Sequence, residues 1–214
     1  MAESTYRRRL VVAATLVLGT VGSGLMLAVP PGDPLFYPAT LGVAALWITG
    51  AFASGPLHLG WAQTRTGTPS RGIVQGFIVG VMLLAVFLLG AFVIARIPLL
   101  RAPVDDLLDH ARHGSLWLVA VVTIVSGIAE ELFFRGAVFA ALPQRVGVLG
   151  STVLYAASTF FSGVPLLTFA AVCLGLLTAV QRRVTGGVVG PITIHLTWSL
   201  GMLLLLGPVL NSGG

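Results

Sequence analysis

Two adjacent glutamates in an otherwise apolar run are the first residues in this sequence that could do chemistry. The stretch reads Ser126-Gly-Ile-Ala-Glu130-Glu131-Leu-Phe-Phe-Arg135-Gly136. A charged side chain at the centre of a bilayer costs about 3 kcal/mol on insertion scales, so it faces protein or a wet cavity and usually has a task. Glu131 and Arg135 are four apart, on one helical face, and can form an ion pair within the helix. Glu130 is turned about 100° away from Glu131 and lacks that partner. A desolvated carboxylate with no cation beside it suits general-base work on water. The same spacing also fits a purely structural clamp that ties helices together.

A second candidate lies in the last apolar run, Gly190-Pro191-Ile-Thr193-Ile-His195-Leu-Thr197-Trp198-Ser199. His195 and Ser199 are four apart and share a face. Pro191 stands one turn before His195 and is expected to free a backbone carbonyl there. Such irregularities survive in membranes where they line a cavity or pack in protein. Counted from the same side of the membrane, the depths of His195 and Glu130 differ by only about 6 Å at 1.5 Å per residue. A lone histidine in an apolar helix is ordinarily a packing residue. Sharing a level with two glutamates points instead to a common site. His58, at the end of the second apolar run, is expected nearer the surface.

The elements that position these groups follow from composition. Of 214 residues, 56% are hydrophobic and 9% charged, with a mean hydropathy of +0.98. Soluble domains carry about 25% charged residues, so most of this surface must face lipid. At roughly 20 residues per span, the length allows six to eight helices and no sizeable soluble domain. The fold class expected is all-α, a polytopic transmembrane bundle of about seven spans. The apolar runs are 10–29, 36–59, 73–95, 115–142, 148–161, 166–180 and 188–206. The fifth and sixth are short and meet at Gly163-Val164-Pro165, which fits a hairpin tucked inside the bundle. Arg7-Arg8-Arg9 ahead of a long apolar run reads as the start of a first membrane helix, because a signal peptide has a shorter apolar region.

All the basic charge is arginine. With the N-terminus in the cytoplasm, Arg7, Arg8, Arg9, Arg65, Arg71, Arg145, Arg182 and Arg183 fall inside, and Arg96, Arg101 and Arg112 outside. That asymmetry orients the chain. It also makes lipid, not nucleic acid, the partner of a protein whose pI is near 10.7. Residues 1–9 form a cytoplasmic basic tail and 10–95 the N-terminal membrane helices. Residues 96–114 alternate apolar and charged positions at helical spacing, as an amphipathic connector on the membrane surface would. Residues 115–206 hold the candidate site, and 207–214 a C-terminal tail. Cys173 is the single cysteine, so no disulfide forms within the chain, and no Cys/His zinc pattern exists.

Ala-Glu130-Glu131-Leu-Phe-Phe-Arg135-Gly resembles the first signature of the CPBP (CAAX prenyl protease and bacteriocin-processing, Abi-type) family of intramembrane peptidases. Pro191-Ile-x-x-His195 resembles the family's closing histidine motif, and Arg182-Arg183-Val-Thr-Gly-Gly occupies the turn before it. The resemblance covers roughly residues 115–206. It implies that Glu130 activates the attacking water and that the substrate is a membrane-embedded or lipidated peptide, classically a prenylated CAAX tail. It also leaves open a divalent metal such as zinc as cofactor; the sequence fixes none. Two departures stand out. The family's second motif places a histidine, with Phe four residues earlier, in the helix after the glutamates. Here Thr159 or Gly163 takes that position, and no histidine occurs between His113 and His195. The closing motif has Asn or Asp four residues after its histidine, where this chain has Ser199.

The function expected is therefore that of an intramembrane endopeptidase in a bacterial plasma membrane. Glu130, Glu131, Arg135 and His195 would be its catalytic group, with Thr159 and Ser199 in support. Glu131 with Arg135 would orient Glu130, and His195 would stabilise the oxyanion or carry protons. The alternative is a non-catalytic membrane scaffold or immunity-type protein that keeps the fold. A small transporter, a third class, lacks the paired interrupted half-repeats expected of one.

Overall fold

The structure is a computed structural model that describes residues 2–58, 72–112, 115–160 and 162–212. The described residues are helical, with no strands. In chain order the helices are α1 (Ala2–Leu27), α2 (Phe36–Ala53), α3 (Gly72–Ile94), α4 (Pro98–Arg112) and α5 (Leu116–Glu131). A π-helix (Leu132–Val138), α6 (Phe139–Ala141), α7 (Gly147–Phe160), α8 (Pro165–Thr185) and α9 (Val189–Ser212) follow.

Six of these units are long and apolar enough to cross a membrane, one of them being the continuous Leu116–Ala141 rod. Their outward faces carry exposed Val17, Leu18, Phe77, Met82 and Leu89, as a lipid-facing surface must. The chain is a polytopic helical membrane protein. α7, the fifth apolar run, has 14 residues. That is about 21 Å, short of a hydrocarbon core about 30 Å thick.

The sixth apolar run is longer than its composition implied. α8 has 21 residues because it continues through Gln181, Arg182 and Arg183 before Gly186 ends it. Gly186 stands at φ 75°, the left-handed conformation that closes a helix at low cost in glycine. Arginines in that last turn also face the favourable end of the helix dipole. Gly163, at φ 73°, makes the turn into α8, whose first residue is Pro165, where a missing N–H costs nothing.

Arg8 donates to the carbonyls of Ser54 (3.2 Å) and Pro56 (2.9 Å), and Arg9 to that of Ala141 (3.2 Å). The Val188 N–H donates to the His58 carbonyl at 3.3 Å. The start of α1, the end of α2, the end of the fourth span and the α8–α9 turn therefore share one end of the bundle. Arg65 and Arg71, assigned above to the same side, lie outside the described residues, as do His113 and Phe161. At the opposite end, Val104 of α4 is buried in a cluster with Ala91, Ala95 and Leu210, and Leu108 packs against it. Arg101–Asp105 (3.1 Å) and Arg112–Asp109 (3.0 Å) bridge the outer face of α4.

Small residues decide how closely α3 and α9 approach. Gly72, Gly76 and Gly80 recur every fourth residue along α3 and are buried. A methyl group on Gly76 would lie 2.6 Å from the Gly190 carbonyl oxygen, and one on Gly80 3.0 Å from that of Ile194. Backbone contact of this kind is how membrane helices associate without a hydrophobic driving force. It fixes the rotation of α9, and so the direction of His195.

Candidate active site

The two glutamates end α5, and the helix then widens. Phe139 donates its N–H to the Phe134 carbonyl, five residues back, the bond that defines a π-turn. All seven residues of the π-helix are buried. Phe133 and Phe134 pack on Trp47 with ring centroids 4.6 and 5.2 Å away. Arg182 of α8 donates from Nε to the Arg135 carbonyl at 3.0 Å, and its guanidinium lies 5.4 Å from the Phe139 ring centre. A continuous α-helix was expected here. The wider turn instead offers a carbonyl to an arginine from another helix, so Arg182 does more than anchor one end of the bundle.

Glu131 and Arg135 are both 0% exposed. Arg135 Nη1 donates to Glu131 Oε1 at 3.0 Å, as the four-residue spacing predicted. The same oxygen is 2.9 Å from His195 Nδ1. Glu131 thus holds both groups and ties α5 to α9. With Nδ1 donating to the carboxylate, Nε2 remains as the second functional nitrogen of the ring. Pro191 falls in the first turn of α9, which starts at Val189. No kink is needed at that position, so the expected irregularity beside His195 is absent.

Glu130 points elsewhere. Its Oε2 accepts a hydrogen bond of 2.7 Å from the Tyr155 hydroxyl of α7. The Tyr155 ring in turn lies under the Arg135 guanidinium, 4.6 Å from its centre, and 6.4 Å from the His195 ring. Tyr155 was not singled out from sequence, because a tyrosine in an apolar run reads as core. Its one available signal was position: it stands four residues before Thr159, where the family's motif has Phe. Gly175 of α8 gives this cluster room, since a methyl there would meet Tyr155 at 3.2 Å and Arg135 at 3.3 Å.

Glu130 and His195 both line one cavity of about 690 Å³. Its walls are almost wholly apolar, and it extends to Val104, Leu108 and Leu210 near the α4 end. Ser126, one turn from Glu130, and Ser199, one turn from His195, line it as well. Among the described residues neither hydroxyl has a protein partner, nor does the Trp198 indole N–H. Thr159 does not line the cavity, and its hydroxyl donates back to the Ala156 carbonyl at 2.8 Å. His58 is exposed. The structure therefore brings Glu130, His195 and Ser199 to one chamber, sets Glu131 and Arg135 behind His195 and away from it, and leaves Thr159 out.

Residues 112–201 match the family model of the Rce1-like type II CAAX prenyl endopeptidases. The match runs from the end of α4 into α9 and contains every member of this cluster. It agrees with the resemblance drawn from the glutamate and histidine motifs, and it ties the segment to CAAX-type intramembrane endopeptidases as a class. No curated protein and no solved structure matches the chain.

The residues present also bear on a metal. A structural or catalytic zinc takes at least three protein ligands. Among the described residues no group of three His, Cys, Asp or Glu side chains is placed to hold one. Glu131 Oε1 is already shared by Arg135 and His195, and the guanidinium beside it disfavours a second cation. The donor set does not fit a zinc of that type.

Proposed function

We propose that this protein is an intramembrane endopeptidase that hydrolyses a membrane-embedded or lipidated peptide, with Glu130 as the base that activates water. The observation that carries the reading is the convergence of Glu130 and His195 on one apolar chamber. A lipid-modified chain gains from entering such a chamber, since burial of apolar surface contributes about 25 cal/mol per Å². Water admitted to the few polar groups at its wall meets a carboxylate not engaged by arginine.

In the reaction, Glu130 takes a proton from water as the water oxygen attacks the scissile carbonyl. His195 lines the same chamber, with its Nδ1 2.9 Å from Glu131 Oε1. When both ring nitrogens carry a proton, a histidine held by a carboxylate at Nδ1 donates from Nε2 to a developing oxyanion, and Glu130 passes the proton taken from water to the leaving amine as the C–N bond breaks. Glu131 and Arg135 thus orient His195 rather than Glu130. The bilayer in question is a bacterial plasma membrane on this reading.

The test is cleavage of a fluorogenic peptide bearing a farnesylated cysteine followed by three residues, with the full chain reconstituted in liposomes. Glu130→Gln is expected to slow cleavage by about 10²–10⁴-fold while the protein still melts at its wild-type temperature. Cleavage by Glu130→Gln at the wild-type rate would sink the role given to Glu130.

A specific observation also favours the scaffold reading. Glu131, Arg135, His195 and Arg182 link three spans through buried polar contacts, which is what a structural clamp requires. Failure of the wild-type protein to cleave any lipidated peptide, together with retained binding of one, would select that reading.

A further inference from the structure

We propose that Tyr155 is the positioning residue for Glu130, its hydroxyl holding one carboxylate oxygen from the helix where the family's second motif has a histidine. The inference rests on the peptidase reading and deepens it. α7 carries no histidine, and Thr159, one of the two positions that match the motif's histidine, is turned to its own helix backbone. Tyr155 is 5% exposed and reaches across from α7 to donate 2.7 Å to Glu130 Oε2. With Thr159 in the histidine's place, Tyr155 falls in the place of the motif's phenylalanine. The hydroxyl is the atom this chain adds.

The geometry gives that hydroxyl a defined effect. A carboxylate can rotate about its last bond and present either oxygen. Held at Oε2, Glu130 keeps Oε1 for a water. The ring is itself fixed, stacked beneath Arg135 and against Phe134 with centroids 4.9 Å apart. A rigid donor lowers the reorganisation needed at the moment of proton transfer. Tyr155 touches Glu130 and no reacting atom, so its effect should appear in turnover and not in substrate binding.

Tyr155→Phe removes the oxygen and keeps the ring on Arg135. With the farnesylated fluorogenic peptide, kcat is expected to fall about 10–100-fold, the range for losing a hydrogen bond to a charged group, with KM and melting temperature unchanged. A second measurement does not depend on activity. The sequence has three glutamates, Glu3, Glu130 and Glu131, so the infrared bands of protein labelled with ¹³C at the glutamate carboxyls can be assigned by substitution. Tyr155→Phe is expected to shift the band that Glu130→Gln removes and to leave the Glu131 band in place.

An unshifted Glu130 band would overturn the proposal, and so would a raised KM at unchanged kcat. If the wild-type protein cleaves nothing, the peptidase reading falls, but the infrared shift still decides whether Tyr155 holds Glu130. Tyr155→Leu separates packing from positioning. It should lower the melting temperature by exposing Arg135, which Tyr155→Phe should not.

Discussion

The two faces of the fourth span carry neighbouring glutamates to opposite ends. On one face Glu131 is sealed among Arg135, His195 and the buried π-helix, with no exposure at all. On the other, Glu130 opens into a chamber of about 690 Å³ that Ser126 and Ser199 also line, their hydroxyls without a protein partner among the described residues. The backbone and the side chain are the same, and only a rotation of about 100° separates a group that holds the bundle together from one free to react. Buried charge is thus not one property. A carboxylate engaged by a guanidinium and an imidazole is spent on structure, whereas one held at a single oxygen by a neutral hydroxyl keeps the other for water.

The sharpest way to break this comparison is on the sealed face. Arg135→Met leaves Glu131 buried with His195 alone. Removing one partner of a buried pair costs about 3–5 kcal/mol, so this variant is expected to lose most of its stability, read as a lowered melting temperature in detergent. Arg135→Met with Glu131→Leu removes both charges and should recover a large part of the loss, because well-packed apolar side chains can replace a buried pair. The clamp account of Glu131 would not survive an Arg135→Met protein that melts like wild type.

A smaller effect should come from the contact that sets where the two faces look. Gly76 meets the Gly190 carbonyl, so Gly76→Val must push α9 away from α3. Overpacking of this kind costs about 1–3 kcal/mol. Unlike Arg135→Met, it is expected to reduce cleavage out of proportion to stability, because it moves His195 relative to both glutamates. Measuring rate and melting temperature on the same preparation checks it. Equal fractional losses would mean that α9 shifts without disturbing the site.

Much of this was legible in the residues alone. Charge in an apolar run marked Glu130, Glu131, Arg135 and His195, because hydrocarbon tolerates such groups only when something receives them. The four-residue spacing of Glu131 and Arg135 gave their ion pair, found at 3.0 Å. Which glutamate meets His195 was not legible, since it depends on how α9 is rotated against α5. Spacing within one helix says nothing of that. Gly72, Gly76 and Gly80 held part of the answer as a recurring small-residue stripe along α3. Arg182 was hidden for another reason. An arginine at the end of an apolar run reads as an anchor at the membrane surface, and no pattern in Leu132–Val138 announces the π-turn whose carbonyl it reaches. Tyr155 was masked by its own ring, which any core would accept.

The mildest substitution tests the open face. Ser199 stands where the family's closing motif has Asn or Asp, one turn from His195, and its hydroxyl is buried without a protein partner among the described residues. An unsatisfied buried hydroxyl contributes nothing to folding and costs something to desolvate. Ser199→Ala should therefore leave the melting temperature unchanged or raise it slightly, by less than about 1 kcal/mol in stability. Its effect on cleavage carries the information. If the hydroxyl holds a water beside His195, the rate should fall a few-fold with KM unchanged. A rate identical to wild type would confine the working part of the open face to Glu130, Tyr155 and His195. A marked loss of stability would mean that Ser199 belongs with the sealed face, and the division between the two would have been drawn one turn too early along α9.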